Sequence, residues 1–498
     1  MEFTIIETGW LSVLPPLIAI TLALITKEVY SSLFIGVLSG TLIYSFCSGG
    51  TVLSAVSLLF DLMCSKIADN AYMIIFLSLL WAVVMLVSRS GGSLAYGRWA
   101  ENKIHSRRSA AILTSVLGIL IFIDDGFNCL TVGTVMRPVT DRFRISREKL
   151  AYIIDATAAP VCIMAPVSSW AVAVASEVSS ENGFKVFLST IPYNAYAIIT
   201  ILMVFLICVT GMDFGPMKKA ESRAMNEGVS DETAERKDEL KGQVIDLLLP
   251  IFVLIVCAVL GMAYVGGFFD GVSFSEAIGE NPTAGLTLGA FAALISAMAL
   301  YLPRKIMKPG EFINSIVEGI ASIVPPMLIL VLSWCLGGVC RQLIGTGLFI
   351  SGFLEGSDFS LVLYPFLVFM IASIMSFSMG SSWGTFGILI PIVTMICEIE
   401  GAGIYLIPAL GATLAGSVYG DHCSPISDTT VMASTGAECR HIDHVNTQLP
   451  YATFVAVICA IGYLIVGFTL SPWPALAVDV ILLFASLVIL NRRDRLKV

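Results

Sequence analysis

Five aspartates in this chain stand where carboxylates are expensive. Asp124 and Asp125 lie in IFIDDGFN (121–128), Asp155 in the run DATAA, and Asp421 and Asp428 in YGDHCSPISDTT (419–430), all amid apolar sequence. An Asp at the centre of a membrane-spanning helix costs about 2.5–3.5 kcal/mol on insertion scales, so each needs a compensating chemistry. A carboxylate in a low-dielectric setting is neutralised either by a proton or by a coordinated cation. Competition between the two at one group is a route to cation/proton exchange. Asp125, Asp155, Asp421 and Asp428 are therefore the expected sodium ligands. Adjacent Asp124 and Asp125 diverge by roughly 100° on a helix, so one faces the site and the other is free to cap a helix through backbone amides; at a hairpin tip both could face it.

Oxygens cluster around these acids. In 419–430, Gly420 and Pro425 predict a helix break, and Asp421, Ser424, Ser427, Asp428 and Thr429 offer ligands suited to a hard cation such as sodium. Asn128 and Thr131 follow the first aspartate pair. PVSSW (166–170) brings Ser168 and Ser169, and SFSMGSSWGTFG (376–387) brings Ser378, Ser381, Ser382 and Thr385, again at expected breaks. Hydroxyls there either hold ion or substrate or bond carbonyls of their own helix. His422 reads equally as a proton-sensitive group and as a packed polar residue, and with no second His or Cys at helical spacing it is not a metal ligand. Arg137–Pro138 and the stretch 438–444 are assigned to the cytoplasmic surface, in solvated structural roles. The twelve cysteines show no CxxC spacing and read as packing residues, so no structural metal is expected. No nucleophile, His and carboxylate set appears at a recognisable spacing, which speaks against an enzyme.

The elements that must position these groups are membrane helices. The chain has 498 residues, 57% hydrophobic and 13% charged. Apolar runs near crossing length recur at 11–26, 31–47, 70–88, 150–175, 186–211, 244–265, 283–301, 320–340, 404–434, 449–470 and 474–491. The first ten residues carry Glu2 and Glu7 and no base, so the amino terminus is not read as a cleaved signal peptide. The net charge of −9 is scattered and implies no partner, nucleic acid included. Basic residues gather at 89–108, 137–149, 304–308 and 492–497, all expected to be cytoplasmic, which puts the amino terminus outside and the carboxyl terminus inside a bacterial cytoplasmic membrane. Two basic clusters flank 109–136, so that stretch enters and leaves by one face as a re-entrant hairpin; 361–396, between base-poor loops, is the opposing hairpin from outside.

Internal similarity pairs the halves. LFIGVLSGTLIY from Leu33 recurs loosely as LTLGAFAALISA from Leu286, Trp81 answers to Trp334, Thr131 and Gly133 to Thr385 and Gly387, DATAA to GATLA from Gly411, and Pro166 and Ser168 to Pro425 and Ser427. Each half holds five crossings and one hairpin, and an odd number of crossings inverts the second half. The expected fold is thus an all-α polytopic membrane protein with two inverted repeats. Residues 1–211 form the first (scaffold 11–88, transport part 109–178), 212–243 a cytoplasmic linker, 244–470 the second (scaffold 244–340, transport part 361–435), and 471–498 an extra helix and tail. Stretches 51–69 and 308–319 read equally as amphipathic interfacial arms and as loops or tilted span ends.

GDHCSPISDTT followed by ASTGAECRHIDHVNTQLPYA (420–452) resembles the signature of the NhaC-type sodium/proton antiporter family, and 122–170 resembles its first-half signature; the resemblance covers almost the whole chain. It implies the ion-transporter superfamily, whose folds carry inverted repeats and opposed hairpins, commonly move as elevators and are often dimers, so a second copy of the chain is an expected partner. The same family includes antiporters of organic acids such as malate and lactate. The leading expectation is sodium/proton exchange with no cofactor beyond the coupling ions. The alternative is a sodium- or proton-coupled carrier of organic acids or amino acids, and a channel or receptor without coupling is the least favoured.

Overall fold

The computed structural model describes residues 4–101, 104–178, 183–227, 242–349, 360–399 and 401–495. Lys103, linker positions 228–241, the loop 350–359 and Lys497 lie outside the described residues. Among the described residues the chain is helical, without strands. In lipid a backbone must satisfy its own hydrogen bonds, and for an open chain the helix does so.

The first half comprises α1 (Leu14–Thr26), α2 (Val29–Cys47), α3 (Val52–Asp69), α4 (Ala71–Arg89), α5 (Gly92–Glu101), α6 (Arg107–Leu120), α7 (Asp125–Arg142), α8 (Arg147–Cys162), α9 (Ser169–Glu177), α10 (Gly183–Thr190) and α11 (Ala195–Thr210). After α12 (Gly215–Glu227) come α13 (Val244–Val265), α14 (Phe274–Glu280), α15 (Pro282–Tyr301), α16 (Pro309–Gly338), α17 (Tyr364–Met379), α18 (Ser382–Cys397), α19 (Leu406–Cys423), α20 (Asp428–Gly436), α21 (His441–Thr469) and α22 (Pro472–Arg495).

Eleven helical stretches are long and apolar enough to cross a membrane, which makes this a multi-pass membrane protein. Ten match the expected crossings. The eleventh is Leu361–Met379, expected as a hairpin arm, whereas the expected crossing 150–175 divides at 163–168 into α8 and α9, each too short alone. The stretch 404–434 likewise divides into α19 and α20 at 424–427. Of the two stretches left open between interfacial arm and loop or span end, 51–69 is a separate helix, α3, started by a Thr51–Ser54 capping box. The other is the end of a span: 309–319 opens the 30-residue α16, which runs on through Pro325 and Pro326. Within the expected linker, α12 buries Glu221, which pairs with Arg107 of α6 and, at 3.4 Å, with Lys149 of α8.

Two helix pairs turn back on short breaks: α6–α7 at Ile121–Asp124, and α17–α18 at Gly380–Ser381. Three of their arms, α6, α7 and α18, of 14, 18 and 16 residues, reach only about 21–27 Å, short of a hydrocarbon core of about 30 Å, whereas α17 with the 3-10 turn before it (Leu361–Met379) is of crossing length. Asn128 closes the first break by donating to the carbonyls of Gly118 (2.6 Å) and Ile121 (2.8 Å). Gly380 closes the second with φ of 66°, where a Cβ would come within 2.7 Å of the Ile426 backbone. Each tip meets the broken span of its own half: the Ser169 amide donates to the Ile123 carbonyl at 3.0 Å, and Gly380 lies on Ile426. Packing crosses between halves reciprocally, α2 against α16 and α15 against α4.

Candidate functional site

Both tips and both broken spans converge on a cavity of about 130 Å³. The first tip contributes Asp124 and Asp125, the second Ser381, Ser382 and Trp383, α9 contributes Trp170, and the second broken span contributes Asp421, Asp428 and Thr429. Tyr30 of α2, Trp81 of α4 and Pro325, Pro326 and Ile329 of α16 close the opposite wall. None of this second wall was expected as a site residue, although Trp81 was noted as the repeat partner of Trp334. Aromatic and proline residues in apolar helices read as packing, and only the fold shows which face meets a cavity.

Asp124 is 1% exposed and spends its oxygens locally. It is the N-cap of α7, accepting from the Phe127 amide at 2.9 Å and from the Ser169 hydroxyl at 3.3 Å. Asp125 opens α7 one residue later, at the positive end of the helix dipole. Asp421 accepts from the Thr429 hydroxyl at 2.6 Å, and Thr429 in turn lies 3.0 Å from the Ser427 hydroxyl. Asp428 begins α20 and is the most exposed of the four acids in the cavity.

The other expected site residues divide into those on the cavity and those committed elsewhere. Ser381 lines the cavity and caps α18, accepting from the Gly384 amide at 3.1 Å; Ser382 lines it and donates to the Ser417 carbonyl at 3.1 Å. Ser168 is a capping residue, accepting from Ala171 and donating to Cys162 and Ala165. Thr385 donates to its own helix at Ser381. Ser424 and Ser427 serve the turn into α20 through the amides of Ile426 and Thr430. Thr131 is buried and Ser378 half-buried, and neither lines the cavity. The Asn128 side-chain carbonyl is buried without a partner.

Asp155 does not line the cavity but sits in an adjoining buried cluster, near enough for its charge to act on Asp421. Its carboxylate accepts from Gln448 at 2.6 Å, lies 3.3 Å from His444 Nε2 and 4.0 Å from His422 Nε2, while His422 Nδ1 lies 3.1 Å from the Tyr196 hydroxyl. His444 and Gln448 went unrecognised in the sequence. The stretch 438–444 was assigned to solvent, yet His444 is 0% exposed, because α21 carries it inward one turn after the surface residues Arg440 and His441. The signal available was spacing: His444 and Gln448 are four apart and share a helix face. Glu438 does lie near the surface, in an ion pair with Arg137 at 2.6 Å. Among the described residues no three His, Cys, Asp or Glu side chains lie close enough to hold a metal ion by themselves. A cation in the cavity would therefore draw part of its shell from hydroxyl and carbonyl oxygens.

Comparison with known proteins agrees with this architecture. A family model described as the Na+/H+ antiporter family matches residues 171–468. An uncharacterized Haemophilus influenzae protein is 38% identical over 99% of this chain and 98% of its own length. A malate-2H(+)/Na(+)-lactate antiporter of Bacillus subtilis is 39% identical over 31% of this chain and 32% of its own, and the arginine/ornithine antiporter ArcD of Halobacterium salinarum is 34% identical over 31% and 30%. In fold, the crystal structure of the Alcanivorax borkumensis YdaH transporter superposes with a TM-score of 0.57 at 12% identity, covering 84% of this chain and 90% of that one. The chain belongs to the Na+/H+ antiporter family and is a multi-pass secondary antiporter.

Proposed function

We propose that the chain exchanges sodium for protons across the bacterial cytoplasmic membrane, with Asp125, Asp421 and Asp428 as the groups at which the two ions compete. The observation that carries this reading is the meeting of four carboxylates, Asp124 among them, with the Thr429, Ser381 and Ser382 hydroxyls in one cavity at helix breaks. A carboxylate bound to sodium must release its proton first, so occupancy by one ion excludes the other and drives exchange. Asp124 holds the tip in shape. Asp155, flanked by two imidazoles and an amide, supports the α8–α21 contact behind the cavity.

The reciprocal packing of α2 on α16 and α15 on α4, with Ser168 and Ser427 each capping the second piece of a broken span, supports two inverted repeats. In this reading α6–α9 and α17–α20 move as the transport unit against a scaffold of α1–α4 and α13–α16, in elevator fashion. The amino terminus lies outside, the carboxyl terminus in the cytoplasm, and two copies pair through the scaffold. A second reading, coupled exchange of an organic acid or amino acid, draws support from the malate/lactate and arginine/ornithine relatives.

Sodium-driven pH change in proteoliposomes tests the first reading. Asp125→Ala and Asp428→Ala are expected to abolish it, and intact exchange in both sinks the assignment. Counterflow of labelled malate or arginine, with no response to sodium and protons alone, would instead establish the second.

A further inference from the structure

A second cavity, of about 210 Å³, lies apart from the carboxylate site. Its wall joins α3 (Lys66 and, at the exposed rim, Asp69), the end of α9 (Ser176 and Glu177), α16 (Trp334) and the π-helical turn after it, which carries Arg341. Glu177 is 3% exposed, and neither carboxylate oxygen accepts a hydrogen bond. The hydroxyls nearby are engaged: Ser333 donates to the Gly387 carbonyl, and Ser176 accepts the Trp334 indole N–H at 3.2 Å.

The cations of this cavity are incompletely used as well. Arg341 donates to the Thr394 hydroxyl and lies 3.5 Å from the exposed Glu398, while its Nε is buried without an acceptor. Lys66 donates to Gln342 at 3.3 Å and forms no ion pair among the described residues. Neither cation pairs with Glu177. A buried carboxylate left uncompensated is costly, and so is a buried guanidinium N–H.

We propose that this cavity binds a small zwitterion, an α-amino acid, whose ammonium donates to Glu177 and whose carboxylate accepts from Arg341 and Lys66. A ligand with a carboxylate alone leaves Glu177 facing like charge. A simple amine leaves both cations unsatisfied and meets their repulsion. Only a ligand bearing both groups completes the set, and a space of this size suits a few heavy atoms, not a peptide. The site is separate from the ion cavity and does not depend on the sodium–proton reading.

Thermal unfolding of the purified full-length protein tests it, with glycine, L-alanine, L-glutamate, L-arginine, malate and ethylamine in separate arms and sodium chloride as a further arm. At saturation at least one amino acid is expected to raise the midpoint by about 2 °C or more, with clearly smaller shifts from malate and ethylamine. Glu177→Gln and Lys66→Gln are each expected to remove the amino-acid shift and to keep the sodium shift. If one variant fails to unfold cooperatively, the other decides. Absence of any amino-acid shift in the wild-type chain, its survival in the variants, or a malate or ethylamine shift that equals it overturns the site. Loss of the sodium shift alone in the wild-type chain counts only against the sodium reading.

Discussion

The two tips facing each other across the ion cavity are built alike and charged differently. Each follows a helix, breaks for a few residues and starts a second helix with a side-chain cap, Asp124 at one and Ser381 at the other. The first tip brings two carboxylates and the second none. The broken spans reverse this: α8–α9 offers the cavity Trp170, and α19–α20 offers Asp421, Asp428 and Thr429. Similar backbone in the two halves thus frames an asymmetric set of ligands, with acids from one hairpin and the opposite broken span and hydroxyls from the other hairpin. Backbone geometry and ligand chemistry are separable here, and substitutions at the two tips can tell them apart.

The largest contrast is expected in transport. Asp421→Asn should abolish sodium-driven proton movement in proteoliposomes, whereas Ser382→Ala at the uncharged tip should retain most of it; equal losses would mean that the hydroxyl tip carries ions as much as the acids do. Next comes backbone geometry. Gly380→Ala forces a side chain into the left-handed region and against Ile426, at a cost of about 3 kcal/mol in detergent unfolding. At the other tip, Gly126→Ala meets chiefly the flexible end of Met432 and should cost under about 1 kcal/mol. Similar costs at both positions would show that the tips are equally constrained.

A third test separates the cavity from the cluster behind it. His444→Ala removes a partner of Asp155 and leaves a buried carboxylate short of donors, costing about 2 kcal/mol of stability. Sodium stabilisation of the folded protein should survive that change if Asp155 is structural, and its loss would move Asp155 into the ion site. The smallest effect sharpens the aspartate pair. Asp124→Ala should lose about 1 kcal/mol as a missing cap. Asp124→Asn, which still caps, should restore both stability and exchange; exchange lost in Asp124→Asn would make Asp124, and not only Asp125, an ion-carrying group.

Much of the architecture was legible because its signals are local. Apolar length located ten of the eleven crossing-length helices, and Gly, Pro, Ser and Asp clusters marked all four breaks. Segment 150–175 was harder: it is apolar enough to read as one crossing, and although the Ser168 cap is local, the Ser169–Ile123 contact that accompanies the division into α8 and α9 exists only once the hairpin is in place. Stretch 308–319 was legible only as a choice between arm and span end, and it is the span end: it opens the continuous helix α16.

By itself the sequence determined that the protein is a helical membrane protein, where its helices break and which acids sit at the breaks, because hydrophobic length, capping chemistry and the cost of a buried carboxylate all act within a few residues. Tertiary structure alone decided which acids share a cavity. It set Asp124, Asp125, Asp421 and Asp428 together, drew Asp155 to His444 and Gln448, and left Glu177 facing Arg341 and Lys66 across a separate space. Those partnerships join residues up to about three hundred positions apart, and no periodicity along the chain encodes which helix faces meet.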